Sequence, residues 1–324
     1  MLVLGKDDVA ALLDPAALVD AVAVAMADLS AGRASAPHRI GAAVEDRGLL
    51  AAMPAYCPSL GLAAAKLLTV YPDNMVAGHP VHQATISTFD PVTGAPTAIM
   101  DGDLITAMRT AAASALSVRL LARPDARVLA VLGTGPQALE HLRLVTPERP
   151  FAEVRIAGRN LARAEQVATD AARIGIEAVV CGLDDAVPGA DVVCSATSAV
   201  DPIVRAADLV EGAHVTAVGF VPDGGEVDPA LYATSLVAVE HRDTTLRGWP
   251  IGAADLVRAT DDGALRAEDV VELGELVAGT GTGRTDPRQR TVYRSVGVAV
   301  QDVAAASVVL RAAAERGVGR TVEL

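Results

Sequence analysis

Apolar and polar positions follow one rhythm up to about Leu121 and another beyond it. Asp14-Pro15 has the form of an N-cap followed by proline at the first helical position. Leu18, Val22, Ala25, Met26 and Leu29 then recur at helical spacing, with Gly32 as the stop. Strand-like runs follow at Leu49 to Tyr56, Ala63 to Tyr71 and Ala84 to Phe89. Asp90-Pro91-Val92-Thr93-Gly94 carries turn chemistry, and Pro96 to Met100 reads as the returning hairpin strand. Asp103 or Thr106 is placed to cap a helix of small residues running through Arg109 to about Leu121, before Arg123-Pro124.

From Arg127 the pattern alternates between strand and helix. Val128 to Leu132 is a short apolar strand, followed by a Gly-rich turn and a helix to about Val145. Val154 to Ala157 is a second strand and Leu161 to Ile174 a second helix. Further strands are predicted at Ile176 to Val180, Asp191 to Ser195, His214 to Val218 and Leu236 to Val239. Such alternation implies crossover units and a parallel sheet. Gly279 to Pro287 reads as a linker. Beyond it, Ser295 to Ala314 is a long helix of small residues whose natural home is the N-terminal region, so that region is built from a pair of chain segments.

Composition narrows the class. The 324 residues are 51% hydrophobic and 21% charged, which excludes disorder and permits a large core without disulfides or metals. Twenty-seven basic and 40 acidic residues leave a net charge of −13, a poor balance for binding nucleic acid or an anionic membrane. Cys57, Cys181 and Cys194 form no C-x-x-C pair, and no signal-type segment or uninterrupted apolar span is present. The expectation is a reduced, cytoplasmic protein without nucleic-acid or membrane partners.

Three features carry chemistry. Gly133-Thr134-Gly135-Pro136-Gln137-Ala138 follows a strand and opens a helix. In this G-x-G-x-x-A turn the first glycine permits the bend, the second lets a pyrophosphate approach, and Ala138 allows close helix–strand packing. The second strand ends in Gly158-Arg159-Asn160, where NAD sites usually carry an acid. Arg159, with Arg163 one turn later, favours the 2′-phosphate of NADP over a merely solvated role. Third, Arg39, Lys66 and Arg109 interrupt apolar or small-residue stretches with no acid at adjacent spacing, although Asp46 or Asp101 could approach in the fold. They suit either a small anionic substrate, most simply an amino- or imino-acid carboxylate, or snorkelling side chains and core ion pairs. His82 could touch substrate or be a packed histidine. His79 and His82 lack a third ligand, so no metal is expected.

The chain resembles the ornithine cyclodeaminase/mu-crystallin family. The likeness rests on His82-Gln83-Ala84-Thr85, on Met100 through Ala112 (MDGDLITAMRTAA), on Val131 through Ala138, and on Met53 to Tyr56, Glu272 to Glu275 and Ser295 to Asp302. It implies a Rossmann NAD(P)-binding domain, residues 119–291, inserted into an α+β substrate-binding and dimerisation domain, residues 1–118 and 292–324. It further implies a homodimer, with Arg39, Lys66 and Arg109 gripping a substrate carboxylate, His82 beside them, and Lys66 and Arg109 as the candidate catalytic residues. Arg159, Asn160, Arg163, Thr197, Ser198 and Val218 join the Gly133–Ala138 turn as candidate cofactor residues.

One departure is informative. Cyclodeaminases of this family place an aspartate just after the strand that here ends Ala217-Val218-Gly219, whereas this chain continues Phe220-Val221-Pro222-Asp223. Phe220 cannot run acid–base chemistry on an amine. The resemblance therefore implies an NADPH-dependent reductase of cyclic imino acids, of the ketimine reductase type, acting on piperideine- or pyrroline-2-carboxylate. The alternatives are an ornithine cyclodeaminase or alanine-type amino-acid dehydrogenase using Asp223 or Glu226, and a non-catalytic NADPH-binding protein.

Overall fold

The structure, a computed structural model, describes residues 1–323. By compactness the chain divides into two units: Met1–Arg109 with Val298 onward, and Thr110–Gly297. The boundaries expected from sequence lie at 118/119 and 291/292. Helix Gly102–Leu121 carries the chain from the first unit into the second.

In the first unit the described strands form a seven-stranded sheet. Its spatial order is Arg320–Thr321, Leu2–Leu4, Pro96–Asp101, His82–Phe89, Leu62–Val70, Gly48–Cys57 and Ile40–Val44. All neighbours are antiparallel except Leu2–Leu4 beside Pro96–Asp101. Helix Ala299–Arg316 lies on strands Gly48–Cys57 and Leu62–Val70 and packs against helix Pro15–Ser30. Ala304, Ala305 and Ala306 are fully buried along it, and their short side chains let the backbones approach closely. Asp14 caps the Pro15–Ser30 helix, its carboxylate accepting Ala17 N–H at 2.8 Å. The sheet's other face stays open: Leu50 and Leu67 are each 46% exposed and Ile40 69%.

The second unit holds an eight-stranded sheet with every pair parallel. Its order is Val271–Glu272, Leu236–Val239, Thr291–Arg294, His214–Ala217, Val192–Ser195, Val128–Leu132, Glu153–Ala157 and Val179–Cys181. From Val128–Leu132 the chain builds outward through Glu153–Ala157 and Val179–Cys181. It then returns to lay Val192–Ser195 on the opposite side of the first strand. That reversal is the switch point at which doubly wound sheets bind nucleotides. The Rossmann architecture follows from the apolar, β-branched strands, whose central members are buried on both faces as parallel strands require.

Several expectations are corrected. Asp101, rather than Asp103 or Thr106, caps the long helix, accepting Leu104 N–H at 2.9 Å, while Thr106 Oγ1 donates to Gly102 O at 2.7 Å. Strand Thr291–Arg294 belongs to the parallel sheet, between Leu236–Val239 and His214–Ala217. Gly279–Pro287 therefore runs between a helix and a strand of one unit instead of linking two domains. The strand expected from Ile176 forms only at Val179–Cys181, because Gly175, at φ +81°, ends the preceding helix and the chain must first turn. Helix Gly102–Leu121 is long and apolar enough to cross a membrane, yet 78% of that window is buried within the protein, as in a core helix.

Candidate active site

The first unit gathers the four candidate substrate residues from four separate segments. Strand Leu62–Val70 alternates in burial, and Leu62, Ala64, Lys66 and Leu68 point to the helix-covered face. Lys66 thus stands where an apolar residue would be placed, opposite buried Met53 and Ile86. Its ammonium donates to Asp302 Oδ1 at 3.0 Å and to Thr106 Oγ1 at 3.4 Å. Arg109, on the long helix, donates to Gln301 Oε1 at 2.6 Å, and its Nε lies 3.5 Å from the same Asp302 Oδ1. Asp302 is the acid that sequence spacing did not reveal. It sits in the first turn of helix Ala299–Arg316 and is 1% exposed. Asp101 instead caps the long helix, accepting Leu104 N–H.

The electrostatics tie the group together. Burial pushes Lys66 down to about 8. Asp302 opposes that shift, while the charges of Arg109 and Arg39 add to it. His82 Nδ1 lies 3.3 Å from Asp103 Oδ1. Its imidazole is held below the usual range by burial and then by Lys66, against the pull of Asp103. Arg39, Lys66 and Arg109 therefore share one field, and the buried carboxylate of Asp302 lies between Lys66 and Arg109. Lys66 and Arg109 together outnumber that carboxylate by one positive charge, and both are buried.

The second unit carries the nucleotide turn. Gly133 adopts φ +126°, and a Cβ there would meet Ala196 O at 2.4 Å. Gly135 precedes Pro136 at the start of helix Pro136–Val145, and a Cβ placed on it would meet no heavy atom within 4 Å. The helix N-terminus thus opens onto free space, which fits a pyrophosphate. Ala138 is fully buried. Gly158 is needed because Thr134 packs against it, its Cγ2 only 2.6 Å from where a Cβ would lie. Arg159 and Arg163 are exposed beyond the second strand. Asn160 serves as the cap of the next helix, its Oδ1 accepting Arg163 N–H at 3.0 Å. Thr197 Oγ1 accepts Ala199 N–H at 3.1 Å, Ser198 is exposed, and Val218 N–H donates to Ser195 O at 2.9 Å.

Glu226 has a role that the sequence did not disclose. Its buried carboxylate accepts Ser195 Oγ–H and Thr197 N–H, each at 2.6 Å, and Gly219 N–H at 2.7 Å. It fastens the ends of two neighbouring strands, with its oxygens committed to fixed donors. Asp223 is 86% exposed and paired with Arg258. Phe220 stacks on Trp249 with ring centroids 4.5 Å apart. His141 and His214 are fully buried; burial pushes them down to about 4 and about 3. Each is satisfied locally, His141 by Ser114 and Gln137 O, His214 by Ser117 and Thr291. Among the described residues no cluster of three metal-ligating side chains occurs.

Comparison with known proteins adds to this geometry. Residues 1–317 match the family model described as the ornithine cyclodeaminase/mu-crystallin family. The ketimine reductase mu-crystallin of Mus musculus is 36% identical over 265 residues, 81% of this chain and 80% of that protein. The iminosuccinate reductase of Paracoccus denitrificans is 32% identical over the full length of both. Among solved structures, the Δ1-pyrroline-2-carboxylate reductase of Thermococcus litoralis, in complex with NADH and L-proline, has a TM-score of 0.92 at 32% identity. It covers 99% of this chain and 100% of its own.

Proposed function

The chain belongs to the ornithine cyclodeaminase/mu-crystallin family, and on that premise we propose that it is a nicotinamide-dependent reductase of the C=N bond of a small imino acid. The observation that carries this reading is the cationic cluster. Lys66 and Arg109 share one buried acid, Asp302, with Arg39 acting on the same field, and the net positive charge of the Lys66–Arg109–Asp302 group suits a substrate carboxylate. Cyclic imines such as pyrroline- or piperideine-2-carboxylate have that carboxylate next to the reacting carbon, so gripping it orients the C=N bond.

Lys66 and Arg109 act by orientation and charge. A forked guanidinium and a point-like ammonium fix a carboxylate in one pose, and positioning of this kind supplies a large part of rate acceleration. When bound at the Gly133–Ala138 turn, the nicotinamide cofactor supplies the hydride. An iminium substrate arrives with its proton in place. Reduction of such an iminium would leave its C=N π pair on nitrogen and so would need no acid from the protein. This agrees with Phe220 being stacked on Trp249 and with Glu226 being committed to backbone donors. It counts against cyclodeaminase or amino-acid dehydrogenase chemistry at Asp223 or Glu226.

NADPH is the preferred cofactor in this reading, because the exposed Arg159 and Arg163 are suited to a 2′-phosphate and no acid stands at the end of the second strand. We further infer a homodimer built on the open sheet face, where Ile40, Leu50, Tyr56 and Leu67 leave apolar surface in water. The decisive assay mixes protein, NADPH and pyrroline-2-carboxylate and follows cofactor absorbance at neutral and mildly acidic pH. Oxidation supports the proposal, and none across a panel of imino acids refutes it. Ammonia release from ornithine would favour the cyclodeaminase, while tight NADPH binding without any turnover would favour a carrier.

A further inference from the structure

The acid that completes the cationic cluster comes from the far end of the chain. Asp302 lies 236 residues from Lys66, in the first turn of a helix whose remaining buried positions are mostly alanine and valine. We propose that Asp302, braced by Gln301, is a positioning residue for substrate binding, acting through Lys66 and Arg109 rather than on the substrate itself. The inference rests on the reading that this cluster takes a carboxylate.

Three observations carry it. One oxygen, Oδ1, serves both cations, 3.0 Å from Lys66 Nζ and 3.5 Å from Arg109 Nε, so it fixes the separation of the two heads. The adjacent Gln301 holds the other end of the guanidinium: its Oε1 accepts from Arg109 at 2.6 Å and from Val298 N–H at 3.3 Å. That amide oxygen locks Arg109 to the first turn of the helix. Finally, Lys66 is 1% exposed, and Asp302 and Thr106 are the acceptors for its ammonium among the described residues. Thr106 gives its own hydrogen to Gly102 O and so faces Lys66 with a lone pair.

The charges facing Lys66 are Arg109 from the long helix, Arg39 from the segment before the edge strand, His82 with Asp103, and Asp302. Of these, Arg109 and Arg39 work against its ammonium, and Asp302 is the principal opposing charge. Without that carboxylate, burial and two arginines would strip the proton near neutral pH, and the pocket would lose one of its three anion-binding charges. A buried carboxylate beside an anion-binding site would ordinarily repel the ligand. Here it keeps Lys66 charged, and Lys66 with Arg109 still outnumbers it by one charge.

The test compares Asp302→Asn, close in size and uncharged, with Asp302→Glu, which restores the charge. In the wild type, kcat/KM for pyrroline-2-carboxylate should fall as pH rises through about 8, the value to which burial lowers Lys66. Asp302→Asn should move this limb down by about one pH unit or more, a tenfold or greater loss near neutrality that shrinks at mildly acidic pH and appears mainly in KM. Asp302→Glu should return the limb toward its original position. A second arm needs no turnover. The folded ammonium titrates near 8 and the unfolded one near 10.5, so the unfolded chain holds more protons in that interval and stability rises with pH across it. In urea unfolding this rise, isolated by subtracting the Lys66→Met profile, should begin at lower pH in Asp302→Asn. An Asp302→Asn protein that loses activity equally at every pH, with the onset of the stability rise unmoved, overturns the proposal. If the wild type reduces no imino acid, the reductase reading falls, and the unfolding arm alone still decides what Asp302 does to Lys66.

Discussion

Glu226→Gln separates a structural carboxylate from a catalytic one. In the wild type one oxygen accepts two hydrogen bonds, from Ser195 Oγ and Thr197 N, and the other accepts Gly219 N–H. The amide retains one acceptor oxygen. Its best orientation keeps that oxygen on Ser195 and Thr197 and turns the NH2 toward Gly219 N–H, donor against donor. One charge-assisted bond is lost outright, at about 1.5–3 kcal/mol, and the other two weaken toward neutral strength. The combined cost is about 3 kcal/mol, which in a unit of this size lowers Tm by about 6–12 °C. Thermal unfolding by circular dichroism measures the shift, and steady-state kinetics on the same protein below the transition measures turnover. A Glu226→Gln protein that melts with the wild type yet has lost turnover a hundredfold refutes the assignment and makes Glu226 an acid–base group.

Further outcomes follow from other regions of the molecule. Arg159→Asp should lower kcat/KM for NADPH by tenfold or more while sparing or improving NADH, as parallel kinetics with the two cofactors would reveal. Leu67→Lys on the open sheet face should shift sedimentation velocity from dimer to monomer, and an unchanged dimer would place the interface elsewhere. His141 and His214 are neutral in the folded chain down to about 4 and about 3, whereas unfolded imidazoles take up protons near 6.5. The unfolded state therefore binds more protons as pH falls below 6.5. Each histidine should cost about 1.4 kcal/mol of stability per pH unit down to its folded value. Urea unfolding at pH 7 and 5 measures this, and replacing both by glutamine should flatten the loss.

Local signals were legible in the sequence, and long-range partnerships were not. Asp14-Pro15 announces its helix because a cap bonds a neighbour three residues on. Gly133 and Gly135 announce the nucleotide turn because the backbone there tolerates no side chain or needs open space. Lys66 and Arg109 stand out as charges in apolar runs. Asp302 does not, since an acid in the first turn of a helix is the commonest of surface features. Glu226 follows two glycines in an irregular stretch, where nothing signals three buried donors. Thr291–Arg294 carries no strand signal, because four residues ending in Tyr-Arg show neither clean alternation nor a wholly apolar run. Its arginine is nonetheless fully buried, bonded through Nε to both oxygens of Asp255 at 3.0 Å.

The split of the first unit between Met1–Arg109 and the residues from Val298 onward has a consequence for biosynthesis. Residues 110–297 are continuous, so every segment of the second unit precedes helix Ala299–Arg316 in synthesis. The earlier sheet must wait, its inner face uncovered, until helix Ala299–Arg316 is translated and laid upon it. The segment made first is thus finished last, and the same late helix delivers Asp302 to Lys66. A nascent chain stalled before that helix would hold the whole of the second unit and lack the carboxylate that pairs with Lys66.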